Sequence, residues 1–318
     1  MKFIKDFEDG NKISGIYYVK TKIAAVSKNG KQYYNVTLQD KTGVIDSKIW
    51  DTNSPAIEDF EANDYIDIMG DVSVFNGSLQ LAIRRARVAN EVEYNVSDYL
   101  PCSRYSAEKM YEALCDYIDK IQNPYIKKLV DMFFKEDQEF IEKFKKSSAA
   151  KSVHHGFISG LLEHTFGVVR LCHIYTKTYP FLNYDLLIAA ALFHDIGKTK
   201  ELSPFPQNDY TDEGQLIGHV IISYQMVHEA ISKIEGFPNA LANELEHCIL
   251  AHHGELEYGS PKKPAIAEAL ALSLADLTDA RMETIREVVE DSSVKTEWLG
   301  YNKFLESNIR KTTIEDDK

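Results

Sequence analysis

The spacing of apolar positions changes partway along the chain. Through residues 11–88 apolar and polar residues alternate in short runs broken by turn residues, the period-two pattern of strands. Residues 12–20, rich in Ile and Tyr, are followed by 21–27, and Asn29-Gly30 is a hairpin-turn signal. Residues 32–39 set Tyr34, Val36 and Leu38 on one face and Tyr33, Asn35 and Thr37 on the other. A turn ending at Gly43 leads into a strand over 44–50, and residues 54–61 predict a short helix. Residues 65–75 and 78–87 form a last hairpin around Asn76-Gly77. Residues 91–104 are a polar connector, and beyond it the period lengthens to that of helices: 106–121 with Ser106 as N-cap, 124–134 and 138–144. From Ser152 onward the pattern is helical.

Five strands with a short helix before the fourth is the OB-fold pattern, a small barrel that binds oligonucleotides across one face. On that face the candidate contacts are Tyr33, Asn35, Lys48 and Trp50, with Arg84, Arg85 and Arg87 nearby. Aromatic rings stack on bases and basic groups follow phosphates. The same residues also suit plain strand and edge roles.

Charge shifts the picture only locally. The net charge of −13 counts against a nucleic-acid binder, but residues 1–90 balance at 12 basic and 12 acidic side chains, so the whole deficit lies beyond them. Local patches therefore matter more than the total. No apolar run approaches the roughly 20 residues of a membrane span. The start lacks an apolar signal core, and the four scattered cysteines, with no CxxC pair, suit a reducing cytoplasm.

The chemistry gathers in the helical part, which holds all ten histidines. The stretch from Leu186 runs as an apolar helix and ends in His194-Asp195, followed by Gly197 and Lys198. An imidazole and a carboxylate delivered at the end of such a helix are either paired, bound to metal, or in reach of water at a helix terminus, where Gly197 suits a C′ position. The neighbouring helices weight the choice. His164 shares a stripe with Leu161, Val168 and Leu171; His219 with Ile222 and Met226; His252 with Leu245 and Ile249; Asp276 with Ala269 and Leu272; His253 follows Ile249 at i+4. So many inward polar groups on one domain each need a buried partner, and shared cations satisfy them together. His173 and His228 fall off the stripes and His247 is ambiguous. His154 and His155 line a substrate cleft or merely cap the following helix.

In the order His164, His194-Asp195, His219, His252-His253, Asp276, over about residues 150–280, these residues resemble the HD-domain metal phosphohydrolases, in the subgroup that binds two metals. The HD pair alone is a weak motif; the ordered set with Gly197-Lys198 is a strong one. The whole chain is similar to the YhaM family of bacterial 3′→5′ exoribonucleases. The segments Ser152-Val-His-His-Gly-Phe-Ile-Ser-Gly-Leu-Leu-Glu-His-Thr165 and Phe193-His-Asp-Ile-Gly-Lys-Thr-Lys-Glu-Leu202 carry that likeness. The resemblance implies two divalent metal ions, typically Mn²⁺, and stepwise hydrolysis from the 3′ end. It implies His164, His194, Asp195 and Asp276 around one ion and His219, His252 and His253 around the other, with Asp195 bridging. A cation pair of this kind activates water and takes up phosphate charge. Lys198 then suits a non-bridging phosphate oxygen, its alternative being a cation at a helix C-terminus.

The expected molecule is multidomain: an all-β OB-fold barrel over residues 1–90, a helical connector over 91–150, an all-α HD domain over 151–290 and an extension over 291–318. The expected activity is a cytoplasmic, metal-dependent 3′→5′ exonuclease releasing nucleoside 5′-monophosphates. Its expected partner is single-stranded RNA or DNA with a free 3′ end, with no membrane; self-association into a homo-oligomer is left open. One alternative is a phosphodiesterase for cyclic dinucleotides or nucleotides. It lacks the Gly-Tyr-Pro signature after His252-His253, where the chain reads Gly-Glu-Leu-Glu-Tyr-Gly-Ser-Pro261. Another is a non-catalytic nucleic-acid-binding adaptor, which has no need of a complete ligand set.

Overall fold

The computed structural model describes residues 1–27, 29–151, 155–290 and 296–313. The chain divides into two units, Met1–Pro101 and Cys102–Lys318.

Five strands build the first unit: β1 (Lys12–Val26), β2 (Gln32–Asp40), β3 (Gly43–Ile49), β4 (Tyr65–Phe75) and β5 (Ser78–Val88). They close into a barrel in the order β1-β2-β3-β5-β4. Pairing is antiparallel except between β3 and β5. Closure depends on β1, whose first half pairs with β4 and whose second half pairs with β2 across a register shift between Val19 and Thr21. The runs 12–20 and 21–27, read as successive strands, are therefore one strand bent by a bulge, which lets it serve two neighbours. Alternation sends Val36, Leu38, Ile49, Ile66, Ile68 and Leu81 into a common core.

The helix expected over 54–61 does not form. Glu58 N–H donates to Ala86 O and Ala86 N–H donates to Ala56 O, so β5 takes the backbone groups that a helix would have paired internally. Phe60 still reaches the barrel core. The stretch 91–150, expected as a separate connector, is divided between the units. Tyr94 stacks on Tyr65 at 3.9 Å between ring centroids, and Tyr99 and Leu100 are buried, so residues 91–101 finish the barrel.

The second unit is helical: α1 (Ala107–Ile118), α2 (Pro124–Asp131), α3 (Gln138–Lys146), α4 (Gly160–Thr178), α5 (Tyr184–Phe193), α6 (Lys198–Glu201), α7 (Asp212–Leu216), α8 (His219–Ser232), α9 (Asn239–Ala251) and α10 (Ala267–Glu290). A hairpin of β6 (Trp298–Asn302) and β7 (Ser307–Arg310) follows. Leu114 and Ile118 of α1, Leu129 of α2 and Phe144 of α3 join the same core as α4, α5, α9 and α10. At its centre lies α5. Asn183 caps it by accepting from Leu186 N–H, and every residue from Leu186 to Phe193 is buried. A helix apolar on all sides belongs inside a bundle. Each large side chain buried there stabilises by about 1.5–3 kcal/mol, which offsets the cost of the polar groups set at the helix's end. Among the described residues, no helix is long and apolar enough to cross a membrane.

Candidate metal centre

His194 caps α5 and donates from Nδ1 to Ala191 O at 2.8 Å. Four more rings are held the same way. His252 Nδ1 donates to Ile249 O at 2.7 Å, His253 Nδ1 to Tyr258 O at 2.9 Å, His219 Nδ1 to Glu201 Oε1 at 3.0 Å and His164 Nδ1 to Asp279 Oδ2 at 2.8 Å. An acceptor on every Nδ1 assigns the proton there and leaves the Nε2 lone pair facing inward.

Those Nε2 atoms converge on Asp195. Its Oδ2 lies 3.5 Å from both His164 and His194 Nε2; its Oδ1 lies 3.4 Å from His219 Nε2 and 3.6 Å from His252 Nε2. Asp276 Oδ1 stands 3.2 Å from His164 Nε2, and His253 Nε2 stands 3.3 Å from His219 Nε2. The result is two groups, His164–His194–Asp276 and His219–His252–His253, each with ligand atoms within 4.8 Å of one another. One carboxylate lies between them with an oxygen toward each.

The chemistry of this set fits divalent cations. Inward lone pairs and carboxylate oxygens at these separations repel one another unless positive charge lies between them. Asp195 Oδ1 and His252 Nε2 are buried with no hydrogen-bond partner, a cost of about 1–3 kcal/mol for each such group that a ligated ion removes. Nitrogen and oxygen donors without thiolate suit zinc, manganese or iron more than a soft ion.

Burial and neighbouring charge set the protonation of these candidate ligands. Burial holds His194, His252 and His253 below the ordinary imidazole range. Burial acts most strongly against the charge on Asp195, but the Lys198 ammonium at 2.6 Å from Oδ2, together with the imidazoles of His194, His219 and His252, holds the carboxyl well below the ordinary carboxylate range. For His164, burial lowers the pKa, yet hydrogen bonds with Asp276 and Asp279 raise it to about 10, so a proton and a cation compete for its Nε2.

Asp195 is paired with Lys198 one turn on. One reading of this turn needs correction. Gly197 is not a left-handed C′ residue: its φ is −60°, and its lack of a side chain serves close packing instead. A Cβ there would lie 2.2 Å from His219 O and 2.7 Å from Ser223 N, so glycine is what lets α8 bring His219 to Asp195.

Asp279 and Glu201 act on the ligands from behind, and neither was singled out in the sequence. Asp279 lies one turn after Asp276 on α10, a spacing that offered a signal. Glu201 offered none, because its bonds to the backbone and ring of His219 span 18 residues. Asp279 Oδ2 also accepts from His155 Nε2 at 3.0 Å, and His155 lines the cavity beside the centre. That cavity, of about 540 Å³, reaches His164, Asp195, Lys198 and His253. His154 lies outside the described residues. The remaining histidines stand apart: His228 pairs with Glu246, His173 packs against Tyr117 and Tyr184, and His247 accepts from Ala265 N–H.

On the barrel, β2 and β3 bring four of the seven candidate contacts together. Asn35 and Lys48 are register partners and hydrogen-bond; Tyr33 stacks on Trp50 at 5.0 Å, with Lys48 Nζ 5.3 Å from the Tyr33 ring centroid. Trp50 is 55% exposed. The arginines differ. Arg87 is engaged by Glu93 and Asp67 and Arg84 by Asp71, whereas exposed Arg85 has no ion pair among the described residues. Acidic partners on the neighbouring strand or in the turn after β5, which periodicity does not reveal, reduce what Arg84 and Arg87 can offer a phosphate.

A helical bundle that turns five histidines and two aspartates toward one point defines a class. Residues 161–281 match the HD domain family. The chain is 35% identical over 290 residues, 91% of its length and 88% of the other, to the 3′-5′ exoribonuclease YhaM of Geobacillus sp. (strain WCH70). It belongs to the YhaM family. A solved structure, the second OB-fold domain of replication protein A from Methanococcus maripaludis, overlaps 28% of this chain and 95% of its own at 17% identity and a TM-score of 0.22.

Proposed function

We propose that the protein is a metal-dependent 3′→5′ exonuclease that removes nucleoside 5′-monophosphates from RNA, and from single-stranded DNA as a second substrate. The observation that carries this reading is the placement of Asp195, with one oxygen toward each of two histidine groups. In this reading His164, His194 and Asp276 would hold one ion and His219, His252 and His253 the other, with Asp195 shared between them. Mn²⁺ is the proposed metal, in keeping with an all-nitrogen-and-oxygen donor set. Such ions supply Lewis acidity and an activated water for attack on phosphorus. The chain's own residues do the rest. Asp279 and Glu201 fix the rings, and Lys198 stabilises the shared carboxylate and faces the cavity where phosphate charge arrives. The identity to an exoribonuclease over nine-tenths of the chain supports the substrate class and the direction of attack.

The barrel's part is to hold the strand through Tyr33, Asn35, Lys48 and Trp50, with Arg85 the arginine left open to phosphate. Four free cysteines, two of them buried, accord with a cytoplasmic location.

The test is a 5′-labelled single strand with a free or a blocked 3′ end, incubated with Mn²⁺, with and without chelator. A ladder shortening from the free end, 5′-monophosphate products and no reaction on the blocked strand are expected. Cleavage of both strands alike would make the protein an endonuclease. Hydrolysis of cyclic dinucleotides alone would turn the reading to a phosphodiesterase.

A further inference from the structure

The hairpin at the end of the second unit has no part in the metal centre, yet its tip reaches the same cavity. Phe304, Leu305 and Glu306 line it together with His164, Asp195 and Lys198. The tip is built rather than loose: Asn302 Oδ1 accepts from both Phe304 N–H and Leu305 N–H, at 2.9 and 3.0 Å, and Glu306 takes the left-handed φ of 51° that the tight turn needs. This turn leaves Phe304 63% exposed, although an apolar ring at a loop tip gains by burial. A second ring on the cavity wall, Tyr258, is 61% exposed, and its position is tied to the centre because its carbonyl accepts from His253 Nδ1. Both are held open beside groups suited to phosphodiester chemistry.

The wall on the α10 side supplies charge. Ser273, Asp276, Leu277, Ala280, Arg281 and Thr284 form one stripe along the helix facing the cavity. Arg281 is exposed, and among the described residues no carboxylate pairs with it, unlike Lys198, which is paired with Asp195. Five residues of helix set Arg281 about 7.5 Å along the axis from Asp276. A ligand filling this space has a flat apolar group for the rings and phosphate for Arg281 and the metal centre. A nucleobase on its sugar-phosphate meets both demands, and a cavity of about 540 Å³ is of the size that holds one small-molecule unit.

We infer that the tip of the β6–β7 hairpin, through Phe304 together with Tyr258, forms the subsite that stacks the 3′-terminal base of the strand, with Arg281 on its phosphate. The inference rests on the exonuclease reading for its substrate, but the subsite is testable without it. Stacking on one aromatic ring is sequence-tolerant, since every base offers a π-face, so the subsite grips any terminal nucleotide.

The experiment has a binding arm and a kinetic arm. By calorimetry on the Mn²⁺-loaded protein, adenosine 5′-monophosphate should bind roughly tenfold or more tighter than ribose 5-phosphate, and Phe304→Ala should erase that difference while Phe304→Trp retains it. Equal binding of the two ligands overturns the subsite, whatever the enzyme cleaves. In the kinetic arm, Phe304→Ala should raise KM roughly tenfold on a strand with an intact 3′ nucleotide, and removing the terminal base should do the same to the wild type. The two changes together should cost little more than either alone, as expected of groups that touch. Additive losses, or a fall in kcat with KM unmoved, overturn the assignment. A wild type that binds the monophosphate yet shortens no strand leaves the subsite standing and defeats the exonuclease reading instead.

Discussion

The metal centre and the barrel face use similar residue types under opposite rules. At the candidate metal centre the polar groups are buried or half-buried, and each of the five imidazoles named there is held at Nδ1 by a specific acceptor so that its other nitrogen faces one point. On the barrel the corresponding groups are half-exposed or exposed, and they lean on one another, as Tyr33 does on Trp50 and Lys48 on Asn35. Holding a cation needs several ligands fixed to within a fraction of an ångström, which only a packed and fully bonded surround provides. Holding a flexible strand needs rings and cations that water can leave and a base can replace. The lesson is that substitutions in the first region should act on chemistry in large steps, and those in the second on affinity in small ones.

The largest effect is expected at Asp195. Asp195→Asn keeps the shape but removes the charge shared between the two ligand groups. Strand degradation should fall at least about a hundredfold, with circular dichroism and strand affinity retained. A folded variant that degrades RNA at near the wild-type rate would show that Asp195 does not bridge. The same logic sets the stoichiometry: elemental analysis after reconstitution should approach two divalent ions per chain, and saturation at one with full activity would break the two-group comparison.

A smaller effect belongs to the residues behind the ligands. Asp279→Asn weakens the acceptor for both His164 and His155, so metal affinity should fall by roughly 10–100-fold, read by competition with a chelating dye. Unaltered metal affinity would reduce Asp279 to a packing residue. Smaller again is Trp50→Ala on the barrel. It should weaken single-strand binding by roughly tenfold and leave cleavage of a dinucleotide unaffected, and binding by the full chain should weaken as salt rises. Loss of dinucleotide cleavage in this variant would mean that the two regions do not divide the work as described.

The smallest effect is a pH dependence in the barrel. Glu93 is held down to about 2, chiefly by its hydrogen bonds with Arg87. A carboxylate depressed in the folded state stabilises above its unfolded pKa near 4.5, and that stabilisation is lost as pH falls toward 2. The wild type and Glu93→Gln should therefore differ in thermal midpoint at neutral pH and converge near pH 2. A difference that persists at pH 2 would assign the effect to packing.

Sequence alone determined the two kinds of architecture and pointed to most of the side chains that meet at the candidate metal centre. Period two through residues 11–88 and a longer period beyond it report which faces are buried, and burial follows local geometry. The inward histidines were legible for the same reason, since His164 and His252 share stripes with buried leucines and isoleucines. What pairs across the chain was not legible. The bend in β1 depends on two partner strands, the loss of the 54–61 helix on Ala86, and the quenching of Arg84 and Arg87 on acids from a neighbouring strand or turn. Glu201 behind His219 and Phe304 beside a cavity walled by helices earlier in the chain were settled by tertiary structure alone. Periodicity records which side of an element faces inward. Which atoms meet there depends on how elements distant in sequence pack, and on distances that short-range pattern does not encode.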